Sequence, residues 1–485
     1  MTHGGRRRAA AAAVALAAVT FAGCDRAAPP PDGALVAQWL RLELAIVRAE
    51  RVNPPLATRI AAYTAVALHE GLASDDALGL SPLAGRLNGL APVAAPSGEL
   101  DGGIVAAEAV RWVLGRMVAG GFPTTRRAVD SLADSQVAAR VAAGVASARA
   151  ERSAAHGAAL AAHLLAWADA DSFAATRGRP YRLPTGRGTW ENTSTPDQHL
   201  PEPLSAASDL VLERNAGVAL DPQRAGTREL FMSRPKAQAP GVLAALNPGK
   251  PTEPFWGQLR PFVLPHADAC PIVPPPAYDE RPGSPFWTMA KVVVDTTARL
   301  TEEQRRVALF WADNAAMTGT PAFHWMSVLA QVIGQRRLGA AEAARVSATM
   351  SLAIADAFIA TWREKYRSLT VRPVTYVRRV FDPRFQTVVI TPPFPEYPSG
   401  HSTQSGAAAR VLTRLVGDSV AFADSTQRDI GYPPRAFRSF AHARDEVAIS
   451  RLYGGLHYLP AIVEGVTMGE CIADFALARL APPSR

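Results

Sequence analysis

The feature that most constrains this chain is its apolar periodicity, which follows the helical repeat of 3.6 residues and almost nowhere the strand repeat of two. Helical patterns run over 39–50, 56–72, 104–118 and a long Ala-rich stretch, 126–168. They resume at 301–312, 324–335, 340–366, 402–415, 440–452 and 460–480. No run alternates strictly for long enough to build a substantial sheet. The expectation is an all-α fold of two helical bundles with long connecting loops, one over 34–285 and one over 286–485. Asn53-Pro54-Pro55 is expected to join 39–50 and 56–72 as an antiparallel pair. Between 172 and 285 Pro, Gly, Trp and Thr accumulate and the helical period fades. So long a stretch is expected to wrap the surface and frame a pocket.

The chain has 485 residues, 48% of them hydrophobic, which is ample for such cores. Its formal charge of +8 is nearly all arginine, since the four lysines are Lys236, Lys250, Lys291 and Lys365. No Lys/Arg-rich run alternates with aromatics, so the charge reads as a solvated Arg-rich surface and gives no support for a nucleic-acid partner.

The N-terminus is set apart from the fold. Arg6-Arg7-Arg8 precede an apolar run over 9–21, followed by Ala22-Gly23-Cys24. This is the layout of a secretory signal, too short for a stable transmembrane anchor. The cysteine after Ala22-Gly23 resembles a bacterial lipobox. That resemblance implies a signal peptide over 1–24, lipid on Cys24, a tether over 25–33 and an exported lipoprotein of the periplasm or cell envelope. Its membrane contact would be the lipid anchor alone, and a plain signal peptide cut nearby is the alternative. Cys270 and Cys471 then remain, either as one disulfide of an oxidising compartment or as two buried thiols. No Cys/His spacing suggests zinc.

Three short segments carry the chemistry. In the first, Lys365 ends a helical run and Arg372 precedes Pro373. A residue before proline avoids the α conformation, so the helix must stop between them, with Lys365 on its last turn and Arg372 on extended chain. In the second, Pro398-Ser399-Gly400-His401 opens the 402–415 helix. Serine at an N-cap followed by glycine leaves free N–H groups at a helix N-terminus, a ready anion site, with His401 beside it as a titrating group. In the third, Arg451 and His457 lie six residues apart, on different faces of a continuous helix. Gly454-Gly455 should break the helix and let both side chains converge. Three cations in one hollow repel unless an anion compensates them. With a hydroxyl and a helix N-terminus added, they suit a tetrahedral dianion rather than a carboxylate.

These segments resemble the signature of the type 2 phosphatidic acid phosphatase superfamily, which includes the vanadium-dependent haloperoxidases: Lys-x6-Arg-Pro, Pro-Ser-Gly-His and Ser-Arg-x5-His. The resemblance implies a vanadium chloroperoxidase-like fold in which Lys365, Arg372, Ser399, Gly400 and Arg451 hold vanadate, or phosphate as a substrate. His401 would be the acid–base residue. His457 would be the axial vanadium ligand, or the nucleophile of a phosphatase. Trp362 and Phe394 look like the aromatic wall of the fungal chloroperoxidases. Phe310-Trp311-Ala312-Asp313 looks like the segment whose aspartate pairs with the arginine that here is Arg451. No nucleotide and no haem are called for.

The motif serves two reactions. A haloperoxidase oxidises halide with hydrogen peroxide, and a phosphatase hydrolyses phosphomonoesters through a phosphohistidine. Chain length, the lack of multiple membrane helices and the Trp362/Phe394 wall favour the first. A binding lipoprotein that captures phosphate without catalysis would need neither histidine.

Overall fold

The computed structural model describes Met1 and residues 31–94, 96–193, 250–314 and 318–480. The signal and lipobox around Cys24, most of the tether over 25–33 and positions 194–249 of the wrapping segment lie outside the described residues.

The fold is all-α. The N-terminal half contributes α1 (Ala34–Ala49), α2 (Pro54–Ala73), α3 (Gly102–Met117), α4 (Pro123–Ala142) and α5 (Ser147–Asp169). The C-terminal half contributes α6 (Pro285–Ala298), α7 (Glu302–Phe310), α8 (Thr320–Arg336), α9 (Ala340–Ser368), α10 (Pro373–Val380), α11 (Gly400–Leu415), α12 (Phe440–Tyr453) and α13 (Leu459–Leu480). An antiparallel pair, β1 (Phe422–Asp424) with β2 (Arg435–Phe437), makes one small ribbon.

The sequence explains most boundaries. Asn53 caps α2, its side chain accepting from the Leu56 N–H at 3.0 Å, while Pro54 and Pro55 fill positions where no donor is needed. The 126–168 stretch is two helices, not one. It breaks at Gly144, whose φ of +106° ends α4 and would strain any other residue. The helix α10 and the β ribbon have too few residues for periodicity to single them out, whereas α6, with 14 residues, is long enough but is not among the expected helices.

The long helix α9 is the axis of the molecule. It packs on α2 along one side and on α11 and α13 along the other. The helices α1 and α2 do not form the expected antiparallel pair, because α1 lies mainly against α8 and α2 against α3 and α9. An apolar face is stabilised by whichever surface covers it, and here that surface comes from distant sequence. One continuous core cluster consequently runs from Leu35 to Leu480. At the α11–α13 crossing a Cβ on Gly469 would lie 1.9 Å from the Thr403 carbonyl oxygen, so glycine alone permits that approach. The crossing sets the start of α11, where the Ser399 N–H donates to the Ala461 carbonyl at 3.0 Å.

The wrapping segment is pinned from beneath. Asp356, fully buried on α9, accepts N–H bonds from Phe262, Val263 and Leu264 at 2.7–2.8 Å. Cys270 and Cys471 form a disulfide, which ties the same segment to α13 and settles the two readings of these cysteines.

Candidate active site

Each of the three motif segments ends a helix or begins one, and the fold brings the ends together. The helix α9 stops at Leu369, which adopts a left-handed φ of +47°, leaving Lys365 on the last turn. Arg372 is extended (φ −70°, ψ 151°) and is the N-cap of α10. The helix α12 ends at Tyr453, and Gly455 turns the chain with φ +73° so that Arg451 and His457 converge. Ser399 is the N-cap of α11.

The three cations are buried: Lys365 and Arg372 are 0% exposed and Arg451 is 3% exposed. Lys365 Nζ donates to the carbonyls of Pro395 (2.9 Å), Glu396 (2.9 Å) and Pro398 (2.5 Å), which stitches the loop before Ser399 to α9. Arg372 donates to the Phe394 carbonyl from Nε and Nη2, to the Leu456 carbonyl from Nη1, and from Nη1 to His457 Nε2 at 3.1 Å. Arg451 donates to the Trp311 carbonyl at 3.1 Å, while its Nε has no partner. Ser399 Oγ accepts from the N–H and hydroxyl of Ser402. A Cβ on Gly400 would only reach ordinary contact with Trp362, Thr361 and Lys365. The glycine there keeps the pocket floor open rather than relieving a clash.

Gly400, His401, Arg451 and His457 share one pocket with Trp362, Phe358, Phe394, Ile390 and Pro392. The rings of Trp362 and Phe394 lie 4.9 Å apart and Phe358 stacks on Trp362 at 5.1 Å, giving a dry wall. Phe394 also faces the cations, with its centroid 5.3 Å from Lys365 Nζ and 5.1 Å from Arg372 Cζ. Trp362 is fixed by a bond from Nε1 to the Thr252 carbonyl at 3.1 Å, so the wrapping segment braces the pocket wall, although none of its described residues lines the pocket.

Burial and crowded positive charge dominate the electrostatics. Burial, then Arg372, hold Lys365 well below its usual range. Burial brings Arg372 down to about 10, and burial with Arg372 brings Arg451 down to about 9. Burial holds His457 and His401 well below 6.5, reinforced by Arg372 for the first and Arg451 for the second. Both imidazoles are therefore neutral near pH 7. His401 Nε2 has no partner, and the ring is held from the Ala312 backbone.

A tetrahedral oxyanion fits this donor set. Among the described residues, three buried cations face two buried carboxylates, Glu396 and Asp313, the second of them bonded to His324, and that imbalance in a low-dielectric site is costly without an anion. Arg451 Nε and His401 Nε2 also lack partners among the described residues.

Two acidic positions differ from expectation. Asp313 does not bond Arg451; its carboxylate takes His324 Nδ1 (2.8 Å) and Gln427 Nε2 (2.8 Å). The left-handed turn at Asp313, φ +45°, aims the side chain at α8, and Arg451 takes the Trp311 carbonyl instead. His324 also bonds Asp424 through Nε2 at 2.8 Å and stacks on Trp311 at 4.3 Å. Glu396, which sequence reasoning passed over, accepts from His457 Nδ1 at 2.9 Å and from the Tyr458 N–H at 3.1 Å. Its only signal was a carboxylate set among prolines three residues before Ser399.

Comparisons with known proteins place this arrangement. Residues 345–482 match the family model described as the VCPO second helical-bundle domain. The vanadium chloroperoxidase of Curvularia inaequalis is 29% identical over 136 residues, and the match spans 23% of this chain and 22% of that protein. A crystal structure titled as the first bacterial vanadium-dependent iodoperoxidase is 32% identical, with TM-score 0.74, over 93% of this chain and 97% of that one. An apo bacterial vanadium-dependent chloroperoxidase, 16% identical, shares the fold with TM-score 0.60 over 88% of this chain and 94% of that one. Gly400, His401, Arg451 and His457 line one pocket, with Lys365 and Arg372 buried against it, and a relative 32% identical matches almost end to end: the chain belongs to the vanadium-dependent haloperoxidase family.

Proposed function

We propose that this protein binds vanadate and uses hydrogen peroxide to oxidise a halide. The observation that carries the reading is the buried set of Lys365, Arg372 and Arg451 around two neutral histidines, beneath the wall of Trp362 and Phe394. Lys365, Arg372 and Arg451 would hold the vanadate oxygens, with the Gly400 N–H and Ser399 hydroxyl adding donors at the α11 N-terminus. Bound vanadate supplies a Lewis-acidic centre for peroxide activation and halide oxidation. His457, with Nε2 at the pocket floor, would be the residue that ligates the vanadium. His401 keeps an unpartnered Nε2 lone pair, with its other ring nitrogen held from the Ala312 backbone, and accepts a proton there. The apolar wall excludes water, which strengthens every charge interaction in the pocket.

The deciding experiment runs on one purified preparation: halogenation of a dimedone-type acceptor with vanadate, peroxide and iodide, bromide or chloride, then hydrolysis of a nitrophenyl phosphate without vanadate. Halide-dependent turnover that requires vanadate supports the proposal. Phosphate hydrolysis that vanadate merely inhibits, with no halogenation, overturns it.

The same reading places the enzyme outside the cytoplasm. The basic-then-apolar N-terminus, Cys24 after Ala22-Gly23, and the Cys270–Cys471 disulfide support export. Intact mass of the membrane-extracted protein tests it, since a lipid on Cys24 adds a defined mass and a free N-terminus at Met1 would exclude processing.

A further inference from the structure

His457 meets a donor, Arg372, at Nε2 and an acceptor, Glu396 Oε1, at Nδ1, and between them they fix a proton. Arg372 lies 3.1 Å from His457 Nε2, and a guanidinium has donors only. Nε2 must therefore accept, so it carries no hydrogen. The proton of the neutral ring then sits on Nδ1 and is donated to Glu396 Oε1 at 2.9 Å. The opposite tautomer would set N–H against N–H at Arg372 and leave the carboxylate facing a lone pair.

Glu396 is itself held from several directions. Its Oε1 accepts the Tyr458 N–H at 3.1 Å, its own N–H donates to the Thr370 carbonyl at 3.1 Å, and its carbonyl accepts Lys365 Nζ at 2.9 Å. It is 0% exposed, and Oε2 has no partner. A buried carboxylate with one oxygen committed to an imidazole and one oxygen idle is poorly explained by loop stability alone.

We propose that Glu396 is a positioning residue for His457: its carboxylate holds the imidazole in the Nδ1–H tautomer, with the Nε2 lone pair turned into the cation cradle. The proposal rests on His457 being the residue that bonds the central atom of the oxyanion. A histidine that ligates through one nitrogen is oriented and made more basic by an acceptor on the other, and losing such an acceptor commonly costs about 10- to 100-fold in affinity.

The test compares the full-length wild type with Glu396→Gln, Glu396→Ala and, for assignment, His457→Ala. Orthovanadate affinity is measured by equilibrium dialysis, and the tautomer of His457 by ¹⁵N chemical shifts of protein labelled at histidine. In Glu396→Gln the amide oxygen faces the same two donors, so the tautomer is retained and affinity falls by less than about tenfold. In Glu396→Ala, Arg372 still faces Nε2 but Nδ1–H loses its acceptor, so the Nδ1 shift moves, the ring is no longer held, and affinity falls about 10- to 100-fold. An unchanged Nδ1 shift and unchanged affinity in Glu396→Ala would overturn the proposal. If Glu396→Ala does not fold, Glu396→Gln decides, because loss of the Nδ1–H tautomer in a folded isostere contradicts it. Wild type that binds no vanadate sinks the ligand reading, yet the ¹⁵N comparison still judges the positioning role.

Discussion

Arg372 donates to Nε2 of His457 across 3.1 Å, so a fully buried guanidinium occupies the lone pair of the histidine at the pocket floor. Burial, with Arg372 and Lys365 next, holds His457 neutral and makes this pairing stable.

The first prediction follows from the surplus charge around that pair. Orthovanadate or inorganic phosphate should raise Tm, whereas chloride at matched ionic strength should not. At a hundredfold excess over Kd the gain is about 2.7 kcal/mol. Scanning fluorimetry checks it, and an absent shift would mean that the cations are already compensated within the chain.

His401 separates binding from turnover. Its Nε2 is unpartnered among the described residues, and the ring is held from the Ala312 backbone. His401→Ala should keep vanadate affinity within a few-fold while halide oxidation falls about 10²- to 10⁴-fold. Binding lost along with turnover would instead assign His401 a structural role.

His324 gives a stability-linked pH dependence away from the cradle. Burial alone would lower its pKa, but Asp313 and Asp424 on its two nitrogens outweigh that and raise it to about 10. The folded state therefore holds this proton more tightly than the unfolded chain does. The contribution is fully present below about pH 6.5 and is lost as pH rises through 10. Urea unfolding of wild type and His324→Gln at pH 7 and pH 10 should show the gap between them narrowing by roughly 1–3 kcal/mol. A constant gap would refute the linkage.

The disulfide closes a long loop, with 201 positions separating Cys270 from Cys471. Paired Cys270→Ser and Cys471→Ser substitutions should cost about 2–4 kcal/mol. Because Thr252, on the same wrapping segment, holds Trp362, turnover should also become more sensitive to temperature. Chemical denaturation with and without reductant measures the first effect, and activity half-life the second.

The sequence by itself determined the helical class, the ends of most helices, and the seven residues proposed for the oxyanion cradle. These are local facts: a period of 3.6, a proline after Arg372, a glycine pair after Tyr453 and a serine cap before Gly400 act within a turn or two of chain. Tertiary structure alone decided which surfaces cover one another. The helix α1 lies on α8 rather than on α2, Asp356 anchors a segment 92 to 94 positions away, and Asp313 serves His324 while Arg451 takes a carbonyl. Glu396 was legible as a carboxylate but not as the partner of His457, 61 positions on. Periodicity shows that a face is apolar or that a helix must end. It does not show which distant group will meet it, because that choice is made by burial and hydrogen-bond satisfaction across the whole core.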